Sequence, residues 1–340
     1  MKKFLLLVSV ICLLGIAQLA SAGEVGHYAP GIANPRDFVV PAPGFYYLQY
    51  NPYYSTDTYA NDHGNKVKSL EASRTVNIGG RFPVTVTASA DVSLNVKAAG
   101  AQPVFALVTK KKLLGADYAM LIAPYVGYTS VEFKGKITGI AIDGIKIRHF
   151  KGNELEIKQS ASGFGDLYVQ PLWIGWHGKK YDISLGYGFF APTGGYDINK
   201  LANMGMGFWS HEVKLGGLYY VDKQKATALM ANVTYEYNGK KDGEDIHPGQ
   251  NVILEYGLSQ YLSEWLEVGI SGFGTFQVTE NTGSDAMLKS FTSVNQGAGM
   301  YAGFWAIKNK LYISGKYLRE FYSKNHTKGG WGALEVVYAF

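Results

Sequence analysis

The feature that most constrains this chain is an alternation of apolar and polar residues, repeated in runs of about ten through its carboxy-terminal half. In the last run, Leu334, Val336, Tyr338 and Phe340 share one face and Glu335 lies on the other. Successive side chains of a strand point to opposite faces, so each run predicts a strand with one apolar face. About ten residues is also the length of a tilted strand that crosses a bilayer. A soluble sheet and a transmembrane barrel would both produce this pattern.

The connections between the runs favour the barrel. Short connections fall at 177–180, 222–225, 263–264 and 308–309, and longer ones at 192–208, 238–250, 279–293 and 323–330. If Phe340 lies at the periplasmic end, every short connection is periplasmic and every long one is outside, over nine consecutive runs. Short periplasmic turns and long outer loops are characteristic of outer-membrane barrels. Many aromatic residues also fall near the predicted strand ends, where interfacial girdles would place them.

The amino-terminal half is less regular. It contains a strand near Phe45–Tyr54, a second near Val104–Thr109 and a third near Tyr118–Tyr128. Two further β-rich stretches, 74–96 and 132–158, are compatible with extra spanning hairpins or with strands inside long loops. The predicted fold is an all-β, transmembrane, antiparallel up-and-down barrel of about 12 strands, with 14 as the alternative count. A soluble periplasmic β-sandwich is the remaining alternative.

The amino-terminus predicts export. Lys2 and Lys3 precede an apolar run over 4–19 and the small residues of 20–22, which is the pattern of a cleaved signal peptide. We therefore expect residues 1–22 to be removed and the mature chain to begin at about Gly23. The single cysteine, Cys12, lies inside this signal, so no disulfide and no thiolate zinc site is expected in the mature protein.

Composition excludes some other classes. After the signal no apolar run approaches the roughly 18 residues of a membrane helix. The chain is 14% aromatic with 42 Gly, only 17% charged, and its mean hydropathy is near zero, as expected where half of each strand is polar. A formal charge of +5 is small and no basic run is interleaved with aromatics, so we expect no nucleic-acid partner.

Three parts of the mature chain resemble a known family. They are the start of the mature chain from Gly26 to Tyr46, the stretches Ala191–Asp197 and Leu201–Gly205, and Lys316–Phe321 before the final strand. They are similar to the putative MetA-pathway of phenol degradation family of Gram-negative outer-membrane proteins. The resemblance implies an outer-membrane barrel related to hydrophobic-compound channels, with a link to aromatic catabolism. It supplies no catalytic residues.

The residues before the first strand predict an internal segment. Residues 23–43 form a plug-like segment in this interpretation, followed by the barrel at 44–340, because 27–43 is too rich in Pro and Gly to be a strand. We expect Arg36 and Asp37 to pair with inward charges of the wall, since unpaired charges in a narrow lumen are costly. The alternative is a flexible periplasmic tail. The inward charges predicted from the alternation include Asp182, Lys214, Glu255, Glu267, Lys316 and Glu335.

The expected function is passive uptake of small hydrophobic, aromatic compounds through the outer membrane. The solute would be captured on the outer loops and would leave past the plug or sideways through the wall. We expect no cofactor. The expected partners are outer-membrane lipid, the small hydrophobic solute, and the barrel-assembly machinery, which would recognise the strand ending at Phe340. The candidate solute-contacting residues are Tyr28, Phe38, Tyr196, Leu201, Met204, Met206 and Phe208.

Two other functional classes stay open at this point. One is a structural or adhesive barrel whose long loops form an exposed face. The other is an outer-membrane lipid hydrolase, which the sequence disfavours because its seven His are scattered and neither Gly-x-Ser-x-Gly nor His-Glu-x-x-His occurs. The protein is therefore not expected to be an enzyme, and no metal site is expected.

Overall fold

The computed structural model describes residues 26–78, 82–143, 145–146, 154–286 and 292–340. The predicted signal peptide lies outside these residues. The described chain is built from strands, apart from one 3-10 turn at Pro35–Phe38. The strands are β1 (Gly44–Thr56), β2 (Tyr59–Ala60), β3 (Ser69–Ile78), β4 (Phe82–Leu113), β5 (Ala116–Ala123), β6 (Val126–Ile142), β7 (Ile145–Lys146), β8 (Glu154–Phe164), β9 (Leu167–His177), β10 (Tyr181–Ala191), β11 (Ser210–Tyr220), β12 (Thr227–Asn238), β13 (Asn251–Tyr261), β14 (Leu266–Gln277), β15 (Val294–Ile307), β16 (Leu311–Lys324), β17 (His326–Thr327) and β18 (Gly330–Ala339).

Twelve of these strands close into an antiparallel barrel. Around the wall they follow the order β1, β18, β16, β15, β14, β13, β12, β11, β10, β9, β5 and β4. The barrel closes because β1 pairs with β18 on one side and with the second half of β4 on the other. The predicted all-β barrel of 12 strands is confirmed. The alternative count of 14 is wrong, and closure excludes the soluble sandwich.

The wall has the reverse of a soluble protein's pattern. On neighbouring strands, Glu212, Glu236 and Glu255 point into the lumen and are at most 3% exposed. Their outward neighbours Leu215 and Val233 are 56% and 45% exposed. Such a broad apolar outer surface is stable only against lipid, so the wall is the membrane-spanning part. Among the described residues there is no helix long and apolar enough to cross a membrane.

The irregular amino-terminal stretches extend past the barrel. The first half of β4 leaves the wall and pairs with β3 and β6, and β6 pairs in turn with β8. We call this four-stranded sheet the outer sheet. Pro124 separates β5 from β6, so the single strand expected over Tyr118–Tyr128 is in fact two, because proline cannot donate a ladder hydrogen bond. At Pro171, by contrast, β9 continues with only a shift in register.

The outer sheet has one charged and one apolar face. On the charged face Lys136 stands between Asp91 and Glu154, and Lys134 opposes Glu156 at 3.3 Å. Alternating charges on adjacent strands compensate each other in water, and lipid would not tolerate them. The outer sheet therefore stands clear of the hydrocarbon. The apolar face turns over the mouth of the barrel and includes Val92, Leu94, Val96, Val131 and Phe133.

Candidate solute pathway

Residues 26–43, here called the amino-terminal segment, run through the lumen from one end to the other. Near the periplasmic end, Val40 packs on Val108 and Ala119. At mid-depth Gly31 donates its backbone N–H to Glu255 at 2.7 Å, and at the outer end His27 reaches Asp166. The barrel wall thus surrounds a traversing chain, and any continuous path through the lumen must run between the two. Its role as a plug stays a prediction.

Lys316 fixes the middle of the amino-terminal segment. Its ammonium donates to three successive carbonyls, those of Gly31 at 2.9 Å, Ile32 at 3.2 Å and Ala33 at 2.6 Å. Gly31 itself has φ of +80° and sits against Trp331, so a side chain at this position would be both strained and crowded. Three successive carbonyls can converge on one ammonium only if the backbone turns tightly, and the glycine at position 31 allows that turn.

Tyr28 is held by two buried wall carboxylates. Its backbone N–H donates to Glu236 at 2.8 Å, and its hydroxyl donates to Glu255. The ammonium of Lys214 lies 4.7 Å from the centre of the Tyr28 ring and 2.9 Å from Glu212. The polar wall residues that the alternation predicted therefore meet the amino-terminal segment here.

Arg36 anchors the segment at the periplasmic end. Its guanidinium donates to Ser259 at 2.6 Å and to the carbonyls of Lys225 and Ala226 in a periplasmic turn. Glu267 lies 3.5 Å away. Glu267 is also held by Ser259 at 2.6 Å and by two tyrosine hydroxyls at 2.8 Å, so it is the centre of a buried polar network.

Asp37 has a partner of the same charge. It shares a hydrogen bond with Glu335, and the ammonium of Lys316 attracts it electrostatically. Two carboxyl groups can share a hydrogen bond only when one carries a proton. Burial raises the pKa of Asp37, which favours that protonated form. Glu335 also accepts from Asn34 and from Ser314, so the pair is enclosed by donors.

Asp182 lies near the periplasmic end of β10, in a second polar cluster. Its carboxylate accepts from the Tyr220 hydroxyl at 2.5 Å and contacts His177 at 3.0 Å, with Lys225 at 3.7 Å. The next inward residue on β10, Ser184, donates to the carbonyl of Phe38 at 2.6 Å. This cluster fixes the wall beside the end of the amino-terminal segment.

Two apolar cavities lie along the lumen. The inner cavity has a volume of about 690 Å³ and the outer cavity, under the outer sheet, about 880 Å³. Tyr28, Ile32 and Met206 line both, so the outer half of the amino-terminal segment separates them. Apolar wall residues of the inner cavity include Leu48, Val104, Ala106, Leu121, Ala123 and Phe190.

Most of the predicted solute-contacting residues line a cavity. Phe38 and Met204 face the inner one, Tyr196 and Leu201 the outer one, and Tyr28 and Met206 both. Phe208 is 2% exposed, and it packs edge-on against His27 with ring centres 4.8 Å apart. Phe208 is thus part of the packing that holds the amino-terminal segment. Whether the others bind solute stays a prediction.

Sequence reasoning missed the contact at the outer end of the lumen. His27 Nε2 lies 2.8 Å from Asp166 Oδ2, and His27 Nδ1 lies 2.7 Å from Ser210 Oγ. These residues are 139 and 183 positions apart and match no short motif, so only the barrel closure brings them together. Within the described ranges, no group of three or more His, Cys, Asp or Glu is arranged to hold a metal ion.

A closed 12-stranded wall with an apolar belt, a chain-filled lumen and two apolar cavities defines the fold of an outer-membrane channel. The sequence model of the family described as Putative MetA-pathway of phenol degradation matches residues 85–335. This match covers more than half of the chain, and the protein belongs to that family. The resemblance found in the sequence is thereby confirmed. No curated protein matches the chain.

Solved structures agree on the fold. The COG4313 outer membrane channel from Pseudomonas putida F1 is 14% identical with a TM-score of 0.62, covering 91% of this chain and 100% of its own. A Pseudomonas aeruginosa FadL homologue is 11% identical, with a TM-score of 0.42 and coverage of 90% and 93%. The CymD monoaromatic hydrocarbon channel is 9% identical, with a TM-score of 0.37 and coverage of 94% and 96%. Of these three, only the COG4313 channel supports the fold, because the TM-scores of the other two structures are below 0.5.

Proposed function

We propose that this protein lets small hydrophobic, aromatic solutes cross the outer membrane passively. The observation that carries the proposal is the pair of apolar cavities placed in series through the lumen, of about 880 and 690 Å³. Ligand sites for small molecules have volumes of this order and are mostly apolar with a few polar groups. The family's description as a phenol-degradation family supports an aromatic solute.

The lining of the inner cavity supports an apolar solute over an ion. Its walls carry Val104, Leu121 and Phe190, and its charged neighbours are occupied by partners. Arg36 is bonded to carbonyls, and Lys214 is paired with Glu212. Few charged side chains of the inner cavity are left without a partner to coordinate a small ion. Its aromatic and aliphatic walls instead suit the ring of an aromatic solute.

The amino-terminal segment supports selectivity in the same model. It contacts the wall along the lumen of the described barrel, and a barrel of about this strand number lies between the filled and the open sizes. In this proposal the segment acts as the plug that excludes polar solutes. Release is through the periplasmic end of the inner cavity, which Trp173 and Pro41 line.

Two adjacent residues of β5 provide the test. Leu121 lines the inner cavity, and Ile122 faces lipid with 42% exposure. We expect Leu121→Trp to narrow the cavity and to lower uptake of toluene at limiting concentration several-fold, while Ile122→Trp leaves uptake unchanged. Uptake is measured in cells that lack or carry each protein, with heat-modifiable gel migration to verify folding. Equal uptake with and without the native protein would refute the proposal and would favour a structural or adhesive role.

A further inference from the structure

The ring of His27 lies at the boundary between the two cavities. His27 lines both cavities, and its ring is 4% exposed. It stacks on Phe190 with ring centres 4.8 Å apart and an interplanar angle of 15°, and Phe208 packs edge-on against it. Release of this ring would open the boundary on the side of Phe190, while Tyr28 stays bonded to Glu236 and Glu255.

The hydrogen bonds around His27 have a fixed direction. Asn238 donates its amide to the Gly249 carbonyl at 2.8 Å, so its amide oxygen faces Ser210 and accepts the serine proton at 2.6 Å. The serine oxygen is then free only to accept, and His27 Nδ1, 2.7 Å away, must donate to it. His27 Nε2 donates to Asp166 at 2.8 Å.

Both ring nitrogens of His27 are therefore donors, and this is true only of the charged imidazolium. This polarity also argues against a hydrolytic triad of Asp166, His27 and Ser210. A general base must accept the serine proton, whereas here the serine gives its proton to Asn238. The three residues form a structural contact instead.

Charged groups face His27 from three elements of the wall. From the rim between β8 and β9, Asp166 faces the ring directly. From β12, Glu236 interacts with His27 electrostatically, and Glu212 on β11 is the residue paired across from Glu236. Lys214, also on β11, is paired with Glu212 at 2.9 Å.

We propose that His27, Asp166 and Ser210 form a pH-responsive latch that closes the passage between the two cavities. The role of the latch in solute passage rests on the proposed function, but the latch itself forms without a solute. When His27 loses a proton, one buried acceptor in the chain of Asp166, Ser210 and Asn238 loses its donor. The His27 ring is then released from this chain as the pH rises.

Asp166 sets the acidic limit of the latch. Burial alone would raise the pKa of Asp166, but hydrogen bonds from His27 and from the backbone N–H groups of Met206 and Gly194 outweigh it and hold this pKa below its ordinary value. A carboxyl with a depressed pKa stabilises the docked state above its ordinary pKa of about 3.9 and stops doing so as the pH falls through the depressed value. The latch therefore needs a pH above the depressed pKa of Asp166.

The first test measures ion conductance in planar bilayers between pH 5 and pH 8.5. We expect the native channel to spend about tenfold more time open at the alkaline end, the order expected for one lost buried hydrogen bond. His27→Gln should be open at both pH values. His211→Gln is the matched control, because His211 lies on the outward face of β11 and bonds to Tyr187, and it should behave as the native protein.

A second readout needs no conduction at all. The mature chain has no cysteine if the signal is removed, so Ala29→Cys supplies one labelling site between the two cavities. A spin label there should become more mobile as the pH rises in the native background and should be mobile throughout with His27→Gln. A label whose mobility does not change with pH would overturn the latch. A mobile label without toluene uptake would retain the latch and refute the proposed function.

Discussion

At the scale of single residues, the lumen is organised by charges that bind backbone. Lys316 is the clearest case. The residue is 8% exposed, and its ammonium donates to three carbonyls of the amino-terminal segment. Replacing it with Met removes these bonds and leaves the carbonyls without donors. We expect docking of the segment to weaken by about 2–3 kcal/mol.

Spin-label mobility at Ala29 measures that change, because the label lies two residues from the carbonyl of Gly31. Lys223→Met is the control, since Lys223 is exposed in a periplasmic turn. Equal mobility in the native protein and in Lys316→Met would mean that other contacts suffice to hold the amino-terminal segment.

The sequence predicted the lumen charges but not their partners. Period-two alternation placed Lys214, Glu255 and Lys316 on the inner face, and all three are buried or half-buried there. Alternation cannot say which wall residue meets which residue of a non-repeating segment, because that depends on barrel closure. Asp37, for which opposite-charge pairing was expected, faces the carboxyl of Glu335, and Lys316 acts on Asp37 electrostatically while it bonds the carbonyls.

At the scale of elements, the closing strand β18 ends in an aromatic group on the lipid face. The Phe340 ring lies 5.2 Å from Phe45 and 4.7 Å from Tyr338, and its backbone N–H donates to the Phe45 carbonyl at 3.1 Å. Phe340 is 73% exposed, so its ring adds little internal packing. Recognition of this end by the assembly machinery stays a hypothesis.

Deletion of Phe340 should therefore lower the amount of assembled barrel in cells more than it lowers the stability of barrel already folded. Heat-modifiable gel migration of outer-membrane fractions measures the first, and thermal unfolding in detergent the second. Phe304→Ala is the control, because Phe304 also faces lipid near the periplasmic end of the wall, with 48% exposure, but lies within β15. Unchanged assembly without Phe340 would contradict the hypothesis.

The same alternation produces both the wall and the outer sheet, which is why the strand count stayed open in the sequence. Both have an apolar face, but in the wall it meets lipid and in the outer sheet it faces the outer cavity. Three charged residues exclude β6 from the membrane-spanning wall, because a strand that carries them on its outward face cannot lie in lipid. They are Glu132, Lys134 and Lys136. Their register with β8 appears only in the structure.

At the scale of the whole molecule, the proposed function makes the outer sheet, the outer cavity, the latch and the inner cavity successive parts of one route. If the outer sheet captures solute, removing its apolar face should reduce affinity without reducing the capacity of the route. Val92, Leu94 and Val96 line the outer cavity and are only half-buried, so replacing them with Ser should leave the barrel folded. Each loses apolar contact worth about 1 kcal/mol or less with a solute.

We expect the triple Ser variant to take up toluene several-fold more slowly at limiting concentration and at the native rate at saturation. The control replaces the intervening Asn95 with Ala. Asn95 opposes Glu132 on the charged face, so the apolar lining is preserved in this control. A rate that falls equally at both concentrations would place the defect in passage through the lumen. A rate unchanged at both would show that solute reaches the outer cavity without the outer sheet.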